Sequence, residues 1–201
     1  MKSILTFVQR LESKIGVWQV TSFLILANIW WVITLQAINS RFVALTGYAL
    51  PDLQNGAFAP QITLEGFQTQ IAAYNDAAHG VYLSFFILDN VVPFIAFAPF
   101  TLLWVYLLKH QPNRIAKWLL SSPLTLLPIG IGVFDCWENL FYLAAIQQAP
   151  ASGTQTLIQA GFAFGFIKAI CVQATFFSTP LLLISHLVSV FQRYRMARAT
   201  G

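Results

Sequence analysis

Four stretches of this chain, residues 17–37, 81–108, 124–146 and about 161–191, stay apolar for roughly the 20 residues that a helix needs to cross a bilayer. That length constrains the fold, because in lipid each spanning segment must satisfy its own backbone hydrogen bonds or close into a barrel. A barrel would alternate lipid-facing and lumen-facing residues, whereas these runs are continuous, so helices are the expected solution. Composition agrees: 57% of residues are hydrophobic and 9% charged, with a mean hydropathy of +0.67. Soluble domains carry about 25% charged residues. In 201 residues there is room for one all-α transmembrane four-helix bundle and for no separate soluble domain. The second and fourth runs exceed the minimum, which predicts tilt, kinks or helix continuing into the interface, with Pro93, Pro99 and Pro180 supplying the breaks.

Basic residues orient the bundle. Lys2, Arg10 and Lys14 precede the first run; Lys109, Arg114 and Lys117 follow the second; Arg193, Arg195 and Arg198 follow the fourth. The segment between the first two runs holds Arg41 against Asp52, Glu65 and Asp76, and the short loop after Ile146 holds no charge. The positive-inside rule then puts both termini in the cytoplasm and the two other loops outside, as in a multi-pass protein of a cell inner membrane. The net charge of +4 is read as this orientation signal and not as a nucleic-acid footprint. The first run is too long for a secretory signal and ends in Leu35-Gln36-Ala37, so an uncleaved anchor is expected.

Outside the spans, Ile4, Phe7, Val8, Leu11 and Ile15 recur at helical spacing between polar residues, which predicts an amphipathic helix along the inner surface. Between the first two spans, turns are expected at Pro51, Asn55-Gly56 and Pro60. Thr63 and Glu65, with Phe67, Ile71 and Tyr74, then predict a helix leading into the second span and capping the bundle. Pro150 with Ser152-Gly153 reads as a plain turn.

Against this apolar background stand Asp89, Asp135, Glu138 and Lys168, each inside a span. An ionisable side chain at that depth costs roughly 2.5–3.5 kcal/mol on insertion scales, so it marks a buried pair or a functional site. Counting inward from the outer surface at about 1.5 Å per residue places Asp89, Glu138 and Lys168 at one level, roughly 10–12 Å deep. Asp135 and Asn28 come out slightly deeper. Helical phase agrees: Asp135, Glu138, Asn139 and Tyr142 fall at i, i+3, i+4 and i+7, on one face. Gly161, Gly165 and Lys168 share a face of the fourth span, and the G-x-x-x-G spacing lets a neighbouring helix come close. A single polar site of Asn28, Asp89, Asp135, Glu138, Asn139, Tyr142 and Lys168, built from neighbouring helices, is therefore expected.

Three acids against one base leave an excess of negative charge, so at least one carboxyl is expected to hold a proton at neutral pH. Asp135, Glu138 and Lys168 are the candidates for proton-handling or catalytic chemistry, with Asp89 expected to hold Lys168. The competing reading makes the same charges helix-pairing staples. No metal is expected, since His79, His110 and His186 are spread along the chain and Lys168 would oppose a cation among the carboxylates. Cys136 and Cys171 form no C-x-x-C pair and read as buried thiols. Of Trp30 and Trp31, one is expected to face the bundle interior. No nucleotide-binding glycine loop, nucleophile elbow or haem attachment motif occurs, and no cofactor is indicated.

The segments Phe85-Phe86-Ile87-Leu88-Asp89 with Pro93, Phe134-Asp135-Cys136-Trp137-Glu138-Asn139 and Phe166-Ile167-Lys168 resemble a pattern of uncharacterised bacterial four-helix membrane proteins. There the second span carries an Asp before Phe-Pro, the third D-x-x-E-N and the fourth a Lys; here Val92-Pro93 stands in place of Phe-Pro. The resemblance covers about residues 63–186 and implies the intramembrane cluster, with no activity attached. In architecture alone the chain is similar to the small sterol-isomerase and sigma-2-receptor-like membrane domains. The expected function is a buried polar pocket that binds, moves or converts a lipophilic small molecule or lipid. The alternative is a structural or assembly subunit joined to a membrane-protein partner.

Overall fold

A computed structural model describes residues 2–12, 14, 16–54, 62–149 and 153–199. In chain order these form α1 (Lys2–Glu12), α2 (Val17–Thr46), α3 (Pro51–Gln54), α4 (Leu64–Ala72), α5 (Asp76–Asp89), α6 (Val92–Lys109), α7 (Arg114–Ser121), α8 (Leu127–Gln148) and α9 (Thr154–Ala199). A short 3-10 turn, Pro123–Leu126, leads into α8. No strand occurs among the described residues, and four segments are long and apolar enough to cross a membrane: Trp18–Thr46, Asp76–Lys109, Pro123–Gln148 and Thr154–Met196. The all-α bundle expected from the apolar runs is thus the fold. The turns anticipated at Asn55-Gly56, Pro60, Pro150 and Ser152 lie outside the described residues, as does Ile15.

Local chemistry explains where helices start and stop. The side chains of Thr63, Asn75 and Asn113 accept from Gly66, Ala78 and Ala116 N–H, at 3.0, 2.9 and 2.7 Å, satisfying donors that a helix N-terminus leaves open. α2 continues well past the expected end at Ala37 and stops at Gly47, whose φ of 77° a glycine adopts without strain. The second span is broken into α5 and α6 between Asp89 and Val92. Asn90 Nδ2 donates to the Phe86 carbonyl at 2.7 Å, and Pro93 falls in the first turn of α6, where its missing N–H costs nothing. Pro99 and Pro180, by contrast, sit inside continuous helices, so only one of the three expected breaks occurs. At about 1.5 Å per residue α9 is roughly 69 Å long, over twice a hydrocarbon layer, and carries Arg193, Arg195 and Arg198 beyond it.

α8 and α9 form the most extensive helix pair; α6 packs on both, and α2 packs on α5 and α6. The segment between the first two spans does cap one end of the bundle. Phe67 and Ile71 of α4 pack with Phe42, Leu50, Tyr82, Tyr142 and Ile158 in one buried cluster, the Phe67 ring 4.9 Å from that of Tyr142. α4 does not run straight into the second span, because a new start at Asn75 intervenes. At the opposite end, α1 is held by an ion pair of Glu12 with Lys109 Nζ at 2.9 Å and by Gln9 Nε2 donating to Leu120 O at 3.3 Å. Its Val8 faces the bundle while Ile4 and Phe7 face outward. Elsewhere the sides of the spans present exposed Phe, Leu and Ile, as surfaces against lipid do.

Truncating Phe67→Ala is expected to cost about 3–5 kcal/mol. Trp18→Ala, at a side chain 81% exposed, is expected to be within about 0.5 kcal/mol of neutral. Melting of both variants in one detergent checks this; equal effects would mean that α4 is not part of the core.

Candidate functional site

The third span supplies most of the site. Asp135, Glu138, Asn139 and Tyr142 all point into the bundle and all are buried, Glu138, Asn139 and Tyr142 completely. The one-face spacing read from the sequence is therefore the interior face of α8. From α9, Lys168 Nζ reaches Asp135 Oδ1 at 2.7 Å and also contacts Glu138 Oε2. From the end of α5, Asp89 Oδ2 accepts from Asn139 Nδ2 at 2.9 Å, and the same nitrogen approaches Asp135 Oδ2 at 3.3 Å. Asp89, expected as the holder of Lys168, is linked to it by way of Asn139 and Asp135. Second, third and fourth spans thus share one hydrogen-bonded network at one level.

The lysine reaches this network because the helices carrying it come very close. A methyl group on Gly165 would stand 2.5 Å from Glu138 Oε1, and one on Gly161 would overlap the Tyr142 ring. The two glycines form a notch in α9 into which Glu138 and Tyr142 of α8 fit, the close approach that the G-x-x-x-G spacing predicts. Glu138 sits against Gly165 in that notch.

One side of the network is open. Asp89, Asp135 and Lys168 line a cavity of about 170 Å³ together with Trp31 and Leu35 of α2, Leu53 of α3, Phe85, Pro93 and Phe97 of the second span, Ile131 and Val172. Trp31 is the tryptophan that faces inward; Trp30 is exposed. Asn28 is not brought to the cluster in the same way, for its Nδ2 donates to Leu24 O of its own helix at 2.8 Å and it does not line this cavity. The break after Asp89 leaves the Asn90 carbonyl accepting from Cys136 Sγ at 3.5 Å, which gives that thiol a local partner.

Asn139, expected on the polar face, proves to be the bridge between two carboxylates of different spans. One contact escaped the sequence reading. His110 and His186, far apart in sequence, come together near Tyr106 with ring centroids 6.1 Å apart. Among the described residues no group of three or more His, Cys, Asp or Glu is arranged to hold a metal. No family model, curated protein or solved structure matches the chain. Fold and site together define a multi-pass, all-α membrane protein with a charged network between its second, third and fourth spans.

Gly165→Ala is expected to destabilise by about 1–3 kcal/mol through overpacking against Glu138. Gly80→Ala, where a methyl meets nothing within 4 Å, is expected to be neutral or stabilising by up to about 1 kcal/mol. Comparing their melting temperatures tests the notch, and a silent Gly165→Ala contradicts it.

Proposed function

We propose that this chain is a bacterial inner-membrane protein, with both termini in the cytoplasm, whose buried pocket binds the polar end of a lipophilic small molecule or lipid. The observation that carries this reading is that Asp89, Asp135 and Lys168, from three different spans, line open space where a simple staple would close it. Unfilled volume beside desolvated charges is unfavourable unless polar matter occupies it. A site of about 170 Å³ holds several waters at roughly 30 Å³ each. It falls short of the roughly 300–1,000 Å³ that encloses a drug-sized molecule. A headgroup fits while the rest of the molecule stays in lipid. The cavity is not fully enclosed, which leaves the rest of the molecule outside it.

Roles follow from position. Asp135 and Glu138 pair with Lys168, whose ammonium meets an anionic or carbonyl group. Asp89 and Asp135, on the cavity wall, accept hydrogen bonds from the occupant's donors. Glu138 does not line the cavity and acts behind the lysine, seated against Gly165. The orientation rests on basic residues: of the eleven Lys and Arg, only Arg41 and Lys168 lie away from the end bearing α1, α7 and the end of α9. The second reading, a structural subunit, is favoured by the closeness of Glu138, Lys168 and Gly165, where no space remains.

The two readings separate in lipid extracts of purified protein analysed by mass spectrometry, alongside melting in the same detergent. Asp89→Asn and Lys168→Met are each expected to lower retained amphiphile several-fold. If retention is unchanged in both, and Lys168→Met with Glu138→Gln regains the stability that Lys168→Met alone loses, the charges are staples and the pocket reading fails.

A further inference from the structure

A second cavity lies at the other end of the bundle and shares no residue with the charged network. It has a volume of about 340 Å³ and is bounded by Trp104 of α6, Leu119 of α7, Leu124 and Thr125 of the 3-10 turn, and Ala174, Leu181 and Leu182 of α9. From Ala174 to Leu182 it extends about 12 Å along α9. Two of its polar groups are already engaged: Trp104 Nε1 donates to Thr179 Oγ1 at 2.8 Å, and Thr125 Oγ1 donates to Leu119 O at 2.5 Å. What it offers an occupant is apolar surface. Its lips, Leu124 and Leu181, are themselves exposed, the latter by 67%, so the mouth faces hydrocarbon and not water.

α7, which supplies Leu119 to the wall, carries on its outward faces the groups that would meet an occupant's head. α7 exposes Ile115 and Trp118, by 71% and 60%, beside Arg114 and Lys117. Tryptophan at such a place sits at headgroup level, so the two cations on the same short helix stand where lipid phosphates lie. Asn113 caps this helix and the Thr125 bond holds its last turn, so the basic helix is anchored and not a loose loop. That end of the molecule carries nine of the eleven Lys and Arg and, of the seven acids, only Glu12, which is paired with Lys109.

We infer that this cavity is a binding site for one acyl chain of an anionic phospholipid, whose phosphate is met by Arg114 and Lys117. Basic pockets between spans are a recognised setting for anionic lipids, and each cation adds attraction near the surface. The site is independent of the pocket at Asp89 and Lys168, and neither needs the other to be occupied.

Native mass spectrometry of the full chain in detergent tests it, with phosphatidylglycerol and phosphatidylcholine of identical chains as probes. The wild type is expected to bind one phosphatidylglycerol, saturably and roughly tenfold more tightly than phosphatidylcholine. Ala174→Phe fills the cavity and is expected to abolish binding of both. Leu181→Trp narrows the mouth from an exposed position that folding tolerates, and is expected to reduce binding several-fold. Arg114→Gln with Lys117→Gln is expected to keep binding but lose the preference, and Lys168→Met to leave it intact. Unsaturable binding without preference, or full binding in Leu181→Trp and in a folded Ala174→Phe, would overturn the proposal.

Discussion

The ammonium of Lys168 held between Asp135 and Glu138 is the interaction on which the arrangement of the spans depends. None of these groups would enter lipid alone, and breaking a buried pair by removing one partner leaves a desolvated charge at a cost of about 3–5 kcal/mol. The pair therefore fixes which face of α9 meets which face of α8. Asn139 extends the constraint to the second span by donating to Asp89. Three helices are thereby set in rotation and depth by polar contacts, where lipid-facing side chains could slide past one another at little cost.

Backbone chemistry makes room for this network. Gly161 and Gly165 remove side chains from the part of α9 that faces Tyr142 and Glu138, so the carboxylate lies against the helix itself. The break between α5 and α6 places Asp89 at a helix end, and the Asn90 amide and Cys136 thiol occupy polar atoms near the break. Above this level the α4 cap seals the bundle with Phe67 and Ile71. Below it, as far as the basic end where α1 and α7 lie, the buried polar groups are neutral, Thr101, Thr175 and Thr179 among them. The fold thus separates a charged level from a neutral one, and each has its own cavity.

Much of this was legible in the sequence, because lipid enforces simple rules. Twenty apolar residues in a row dictate a helix, and a carboxylate among them must turn inward, so the face of Asp135, Glu138, Asn139 and Tyr142 followed from spacing alone. The Thr63 cap and the glycine notch were readable for the same reason: each depends on neighbours in the sequence. Of the two partners of Lys168, Glu138 was legible and Asp135 was not. Counting depth put Asp89 and Glu138 level with it and Asp135 deeper, yet a lysine stem spans a helical turn and reaches both Asp135 and Glu138. Asn28 shows the opposite failure, since depth says nothing of azimuth and its amide turns back to Leu24. α7 was hidden because eight residues of mixed character leave no long apolar run, although Asn113 before it is a start signal.

The most direct measurement is a double-mutant cycle of Asp135→Asn and Lys168→Met, read as unfolding free energy in one detergent. If these two groups meet in the interior, the loss from both changes together is smaller than the sum of the separate losses, with a coupling of about 1 kcal/mol or more. Strictly additive losses would mean that Asp135 and Lys168 do not touch, and would contradict the account.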